Sequence, residues 1–228
     1  MFFSDPVQRM LNDIRAHARD SQLSTGRGEL DPRVLAAMGR VPRERFVPEY
    51  SRAQAHADRP LPIGEGQTIS QPFIVALMTD LVQPGSDGRI LEIGTGCGYQ
   101  TALLAELAAQ VYSIEIVPEL AQRAAQLLEQ LGYTNLHLRI GDGNAGWPEQ
   151  APFDGILVTA AAPRLPPCLV EQLAPGGRLV VPVGPPWRVQ SLMLVEKDAA
   201  GQVRGRDLLA VAFVPMTGRC LDPDDGWS

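Results

Sequence analysis

Cysteine, histidine and long apolar runs are scarce in this 228-residue chain, and each scarcity excludes something. The three cysteines, Cys97, Cys168 and Cys220, are odd in number and never spaced Cys-x-x-Cys. That argues against a disulfide framework and against a zinc site, and it leads us to expect a reducing, cytoplasmic setting. The histidines lack spaced partners as well. His17 flanks the apolar stripe of a first helix, His137 alternates with core residues in a strand, and His56 stands alone. Each reads as solvated or packed rather than catalytic, and no His/Cys/Asp/Glu spacing suits a metal. No stretch approaches the roughly 20 apolar residues of a membrane helix. The start, Met-Phe-Phe-Ser-Asp-Pro, lacks the basic and long apolar segments of a signal peptide. Positive charge is also in deficit. A net charge of −6 weighs against bulk nucleic-acid binding, which draws its affinity from neutralised phosphates, and the cluster Arg40, Arg43 and Arg45 does not offset it. There is neither an internal repeat nor a low-complexity tract. What remains, 45% hydrophobic and 20% charged residues, is the composition of an ordinary globule, most simply one α/β domain.

Residues 89–101, Arg-Ile-Leu-Glu-Ile-Gly-Thr-Gly-Cys-Gly-Tyr-Gln-Thr, organise that domain. Ile90, Leu91 and Ile93 form the short apolar run of a strand buried on both faces. Gly94, Gly96 and Gly98 turn the backbone sharply, and Leu103, Leu104 and Leu107 then follow helical spacing. Strand, glycine turn and helix form the nucleotide-cofactor arrangement, with helix N–H groups facing the ligand. A dinucleotide site requires Gly-x-Gly-x-x-Gly, and its third glycine position is occupied here by Tyr99. Gly-x-Gly-x-Gly with Glu92 two residues ahead is instead the S-adenosylmethionine (SAM) pattern of Rossmann-like methyltransferases. Taken alone, the turn is equally compatible with a plain tight turn.

Around it the chain alternates. Residues 5–19 read as a helix capped by Asp5, with Val7, Met10, Leu11, Ile14 and Ala18 on one face. Residues 20–30 read as a flexible loop, and Asp31-Pro32 opens a second short helix. The proline-rich stretch 41–48 reads as irregular structure packed on something else. Residues 1–60 together hold too few apolar residues for a core of their own and read as a helical cap. Beyond the glycine turn, Val111–Ile116 is a strand ending in Glu115, where an acid holds ribose hydroxyls in this architecture. A helix over 118–131 and a strand over 136–140 lead to Gly141-Asp142-Gly143, an acid at the next strand end suited to an adenine amino group. Phe153–Val158 is a strand whose carboxyl end, Thr159–Pro163, is a candidate substrate wall. Strands over 177–183, 191–196 and 208–214 complete the sheet, with a polar turn at 197–207. Residues 219–228 form an acidic tail.

The segment Leu61-Pro-Ile-Gly-Glu-Gly-Gln-Thr-Ile-Ser-Gln-Pro72 sits before a helix beginning near Pro72. Ser70 or Gln71 is placed to cap that helix. Catalysis is the other reading of Ser70, although no Gly-x-Ser-x-Gly elbow surrounds it.

Val41–Pro48, Leu61–Pro72, Leu91–Ala102, Gly141–Gly143 and Phe213–Met216, in this order, resemble the protein-L-isoaspartate (D-aspartate) O-methyltransferases. The resemblance spans roughly residues 30–218. Its most specific part is Gly-x-Gly-Gln-Thr-Ile-Ser-x-Pro; the SAM motif is shared with many methyltransferases. It implies a Rossmann-like, doubly wound, mostly parallel seven-stranded sheet with a helical cap (1–60), a SAM-binding and catalytic core (61–218) and the acidic tail. It moves Ser70 from helix cap to active-site residue. It implies SAM contacts at Glu92, Gly94, Gly96, Glu115, Asp142, Gly143 and Thr217; Thr68, in the Ser70 segment, and Ala160, Ala161 and Pro163 of the strand-end wall are the candidate substrate contacts. Cys97 departs from the family's usual serine, a near-isosteric change. The implied activity is methylation of the free carboxylate of L-isoaspartyl and D-aspartyl residues in damaged proteins and peptides. Such a methyl ester closes to a succinimide whose hydrolysis restores some normal aspartate. The expected enzyme is cytoplasmic and monomeric, with neither nucleic acid nor membrane as partner. The alternatives are an O-methyltransferase for a dedicated peptide or a small-molecule carboxylate, and a silent SAM-binding protein. The last would be expected to lose the acids at 92, 115 and 142, which are all present.

Overall fold

A computed structural model describes residues 5–186 and 188–218; the acidic tail lies outside them. Helix α1 (Pro6–Asp20) is capped by the Asp5 carboxylate, which accepts the Val7 N–H at 3.0 Å. Met10, Leu11, Ile14 and Ala18 are buried along one face. The loop expected at 20–30 contains one helical turn, α2 (Gln22–Thr25), closed by Gly26 at φ +71°. Thr25 is fully buried there, and Arg27 reaches Asp80 at 3.2 Å, so the segment is anchored by tertiary contacts its polar composition conceals. Helix α3 (Pro32–Arg40) follows, then two 3-10 turns over Arg43–Phe46 and Glu49–Gln54.

Strands β1 (Leu61–Gly64) and β2 (Gln67–Ile69) pair as a small antiparallel hairpin ahead of helix α4 (Pro72–Val82). Helix α4 is apolar on nearly every face. It packs against α1 and α3 on one side and the main sheet on the other. Its N-terminus is capped neither by Ser70 nor by Gln71. Asp58, from the loop before the hairpin, accepts the Phe73 N–H at 2.8 Å and the Gln71 amide at 2.8 Å.

The main sheet contains β3 (Arg89–Ile93), β4 (Gln110–Glu115), β5 (Leu136–Ile140), β6 (Phe153–Val158), β7 (Leu173–Val183), β8 (Gln190–Lys197) and β9 (Val203–Val211). Their spatial order is β5-β4-β3-β6-β7-β8-β9. Strands β3 to β7 run parallel, β8 runs against β7, and β9 runs against β8. The intervening helices are α5 (Tyr99–Ala105), α6 (Pro118–Gln130) and α7 (Pro167–Glu171). Winding is lopsided. Ile90, Val111, Leu157 and Val180 face a thick layer built from α1 and α3 to α6. Leu91, Ile93, Ile114, Ile156 and Val158 face a thin one built from α7 and short turns around Trp147. His137 lies on that thin side, stacked on Tyr112 with ring centroids 4.6 Å apart, in the packing role its alternation suggests.

Strand β9 begins at Val203, five residues ahead of its apolar pattern, inside the expected polar turn. Val203–Arg206 are exposed and pair with β8 in the antiparallel ladder. A tight turn, in which Asp198 accepts the Ala200 and Gln202 N–H groups at 2.9 Å, sets the register. Among the described residues no helix is long and apolar enough to cross a membrane.

Candidate active site

Strand order reverses beside β3, with β4 on one side and β6 on the other, and the carboxyl ends of these strands open a cleft at that switch point. The cleft is floored by Gly94–Cys97. Glu115–Val117 form one wall and Val214–Thr217 the opposite one, with Gly143, Ala160 and Ser70 between. Gly94 is obligatory at its position. Its φ is +95°, and a Cβ there would stand 2.3 Å from Thr159 Oγ1. Gly143 is required for a different reason: a Cβ would meet Ile93 Cγ2 at 2.3 Å.

The glycine amides are not the free donors the motif suggests. Gly94 N–H bonds the Ile114 carbonyl at 2.8 Å, Gly98 N–H bonds the Thr95 carbonyl at 2.8 Å, and Gly96 N–H bonds Glu115 Oε2 at 2.8 Å. Glu115 Oε1 accepts the Val117 N–H at 2.9 Å, so this carboxylate ties the glycine turn to the end of β4 while lining the cleft. Each oxygen retains acceptor capacity for a ligand hydroxyl.

Glu92 does not line the cleft. It lies beneath the turn, 0% exposed, with Oε2 accepting the Thr101 and Ser113 hydroxyls at 2.6 Å each. Its Oε1 has no partner among the described residues. Burial pushes the carboxyl's pKa up to about 8, against the lowering effect of those two hydroxyls. The folded chain therefore holds this proton more tightly than the unfolded chain, where the ordinary value is 4.5. The stability it contributes is complete below the unfolded value and is lost as pH rises through about 8. Melting curves of the ligand-free protein across this range are expected to show that decline. Glu92→Gln is expected to flatten it; equal slopes in both proteins would dismiss a buried titration.

The remaining residues separate. Thr217 and Gly143 line the cleft. Asp142 is half-buried and accepts the Asn144 N–H at 2.9 Å and its side-chain amide at 2.8 Å, which caps the turn at Gly143. Asn144 in turn reaches the Thr217 carbonyl at 3.3 Å, fastening the cleft wall to the end of β5. Of the strand-end loop, Thr159 and Ala160 reach the cleft. Ala161 is buried, paired through its backbone with Val214 and Met216 at 2.8 Å, and Pro163 lines neither the cleft nor the groove described next. Thr159, which had no individual signal in the sequence, donates its hydroxyl to the Gly94 carbonyl at 2.6 Å.

A second groove runs from the cleft along Phe73 and Leu209–Phe213. Thr68, Ser70, Thr159 and Val214 line both, so Ser70 stands at the junction. No described hydrogen bond engages its hydroxyl. Its carbonyl is held by Arg43, whose Nη2 donates at 2.6 Å while Nε donates to the Ala55 carbonyl at 2.8 Å. Arg43 is fully buried, its guanidinium 4.7 Å from the centroid of the Tyr99 ring. The sequence placed this arginine in an irregular stretch; the structure makes it the brace of the Ser70 corner. Cys97 lines the cleft, and burial raises its thiol to about 11, which keeps it a neutral, serine-sized polar group.

A family model described as protein-L-isoaspartate(D-aspartate) O-methyltransferase matches residues 21–221. The chain belongs to that family. It is 58% identical over 210 residues to protein-L-isoaspartate O-methyltransferase 2 of Syntrophobacter fumaroxidans, covering 92% of this chain and 85% of the relative. It is 60% identical over 192 residues to a protein-L-isoaspartate O-methyltransferase 1 of an Anaeromyxobacter species, covering 84% and 91%. A solved protein-L-isoaspartate O-methyltransferase superposes with a TM-score of 0.81 at 27% identity, over 93% of this chain and 66% of that one. A further solved structure, a putative family member from Plasmodium falciparum in complex with S-adenosyl-L-homocysteine, shares the fold with a TM-score of 0.73 at 24% identity, over 92% and 97%.

Proposed function

We propose that this protein transfers the methyl group of SAM to the free carboxylate of L-isoaspartyl, and D-aspartyl, residues in damaged proteins and peptides. One observation carries this reading: Ser70, whose hydroxyl has no hydrogen-bond partner among the described residues, stands where the cleft at the glycine turn meets an apolar groove open to a second reactant. The cleft fits SAM. The Glu115 carboxylate, which lines the cleft, keeps acceptor capacity for ribose hydroxyls beside its bonds to Gly96 and Val117. Gly94 and Gly96 let the ligand approach the backbone, and Gly143 and Thr217 border it, with Asp142 acting through the turn it caps.

SAM supplies an activated methyl on a sulfonium, which leaves as a neutral thioether. The chain's own part is placement. The acceptor carboxylate is ionised at pH 7, so no residue has to remove a proton. Ser70 hydrogen-bonds that carboxylate or its neighbouring backbone and aligns one oxygen with the methyl carbon, with Thr68 and Ala160 bordering the path. Alignment of this kind supplies roughly 7–11 kcal/mol in favourable cases. The net charge of −6 suits an enzyme indifferent to nucleic acid, and we read it as a cytoplasmic monomer.

Labelled SAM offered with matched aspartyl and isoaspartyl peptides tests the reading. Base-labile methyl ester is expected on the isoaspartyl peptide, favoured in kcat/KM by orders of magnitude, because reach distinguishes two carboxylates that are both ionised. Comparable labelling of both peptides would point to the dedicated-peptide alternative.

A further inference from the structure

Among the described residues, the groove beyond Ser70 is lined by apolar and uncharged polar side chains apart from His17. This histidine comes from the last turn of α1, far from the groove's other walls in sequence, and its side chain is 47% exposed. Its Nδ1 lies 2.7 Å from Asp58 Oδ2, and its ring packs on Phe73 with centroids 5.4 Å apart. The Asp58 side chain is 7% exposed and already accepts the Phe73 N–H and the Gln71 amide. A carboxylate holding those two donors takes a third from the imidazole, so the proton of the neutral ring resides on Nδ1. The lone pair is then on Nε2, and no described hydrogen bond engages that atom. Ring packing and the Asp58 bond together fix the ring's orientation at the groove.

Resting on the repair reading above, we infer that His17 is a substrate-docking residue. In the neutral tautomer that donates from Nδ1 to Asp58, its Nε2 accepts a hydrogen bond from a main-chain N–H of the bound peptide, at a residue flanking the isoaspartate. The chemistry suits an enzyme that must accept many sequences, because a main-chain N–H is present in nearly every peptide. Asp58 gives the arrangement its precision: the same carboxylate caps α4 immediately after Ser70 and orients His17. The group aligning the reacting carboxylate and the group holding the flanking chain thus share one anchor.

The experiment pairs two variants with a scan of isoaspartyl peptides, each N-methylated at one flanking position. His17→Phe keeps a ring against Phe73 and removes the acceptor. It is expected to raise KM for the isoaspartyl peptide about tenfold, with kcat within about twofold and SAM affinity unchanged. His17→Gln, which returns an acceptor oxygen, is expected to recover much of that loss. In the parent enzyme one N-methylated position is expected to cost about tenfold in kcat/KM, and the same peptide is expected to cost His17→Phe almost nothing further. Penalties that multiply at every position, or an unchanged KM in both variants, overturn the docking role; a purely structural histidine would lower the melting temperature without selecting one N-methyl position. A parent enzyme that labels no isoaspartyl peptide overturns the repair reading instead.

Discussion

Ser70→Ala is expected to reduce turnover on an isoaspartyl peptide by roughly one decade or more, with a melting temperature close to the parent's and little change in SAM affinity. Two observations set that pattern. The hydroxyl makes no hydrogen bond among the described residues, so its removal breaks no described bond. The cap of α4 belongs to Asp58, so the cost of about 0.5–2 kcal/mol that follows loss of a side-chain cap does not arise at Ser70. Ser70→Thr separates geometry from chemistry. It keeps the hydroxyl and adds a methyl at the junction of cleft and groove, where an intermediate rate is expected. The measurement is single-turnover methyl transfer at saturating SAM beside thermal melting. Full turnover in the alanine variant would remove Ser70 from the reaction.

Glu115→Ala is expected to weaken SAM by about 10²-fold. That corresponds to two ribose hydrogen bonds at the lower end of about 1.5–3 kcal/mol each, the range for bonds to a charged group. The structure adds a second cost. Gly96 and Val117 lose the carboxylate that holds their N–H groups, so the glycine turn loosens on the side where the ligand lies. The ligand-free variant is therefore expected to melt slightly below the parent, whereas Glu115→Gln retains acceptors for part of this scaffold. Calorimetric titration with SAM reads the effect, and an unchanged dissociation constant would refute the ribose assignment.

Much of the molecule is visible in local pattern. Strand β6 runs from Phe153 to Val158 as its apolar run indicates, and α6 occupies Pro118–Gln130, one residue short of its expected end. Asp5 caps α1 because a cap is a contact between near neighbours in sequence. The start of β9 was hidden because Val203–Arg206 are held by a backbone ladder, which leaves no mark in the side chains. Helix α2 was hidden because a polar four-residue segment becomes helical only through a buried Thr25 and an anchored Arg27.

The sequence by itself determined the fold class, the family and the position of the cofactor turn. Glycines at fixed spacing, alternating periodicities and the Gln-Thr-Ile-Ser segment are short-range signals that survive without coordinates. Only the tertiary structure decided what each polar group does. Glu92 and Glu115 are both acids at strand ends, yet one is sealed beneath the turn and the other lines the cleft. Asp58 caps the helix in place of Ser70 or Gln71, Arg43 is a buried brace, and His17, which reads as a solvated or packed helix residue, is brought to the groove. The physical reason is common to all of them. A polar side chain's role is set by which partners reach it and by how much water remains around it, and both depend on chain segments distant in sequence.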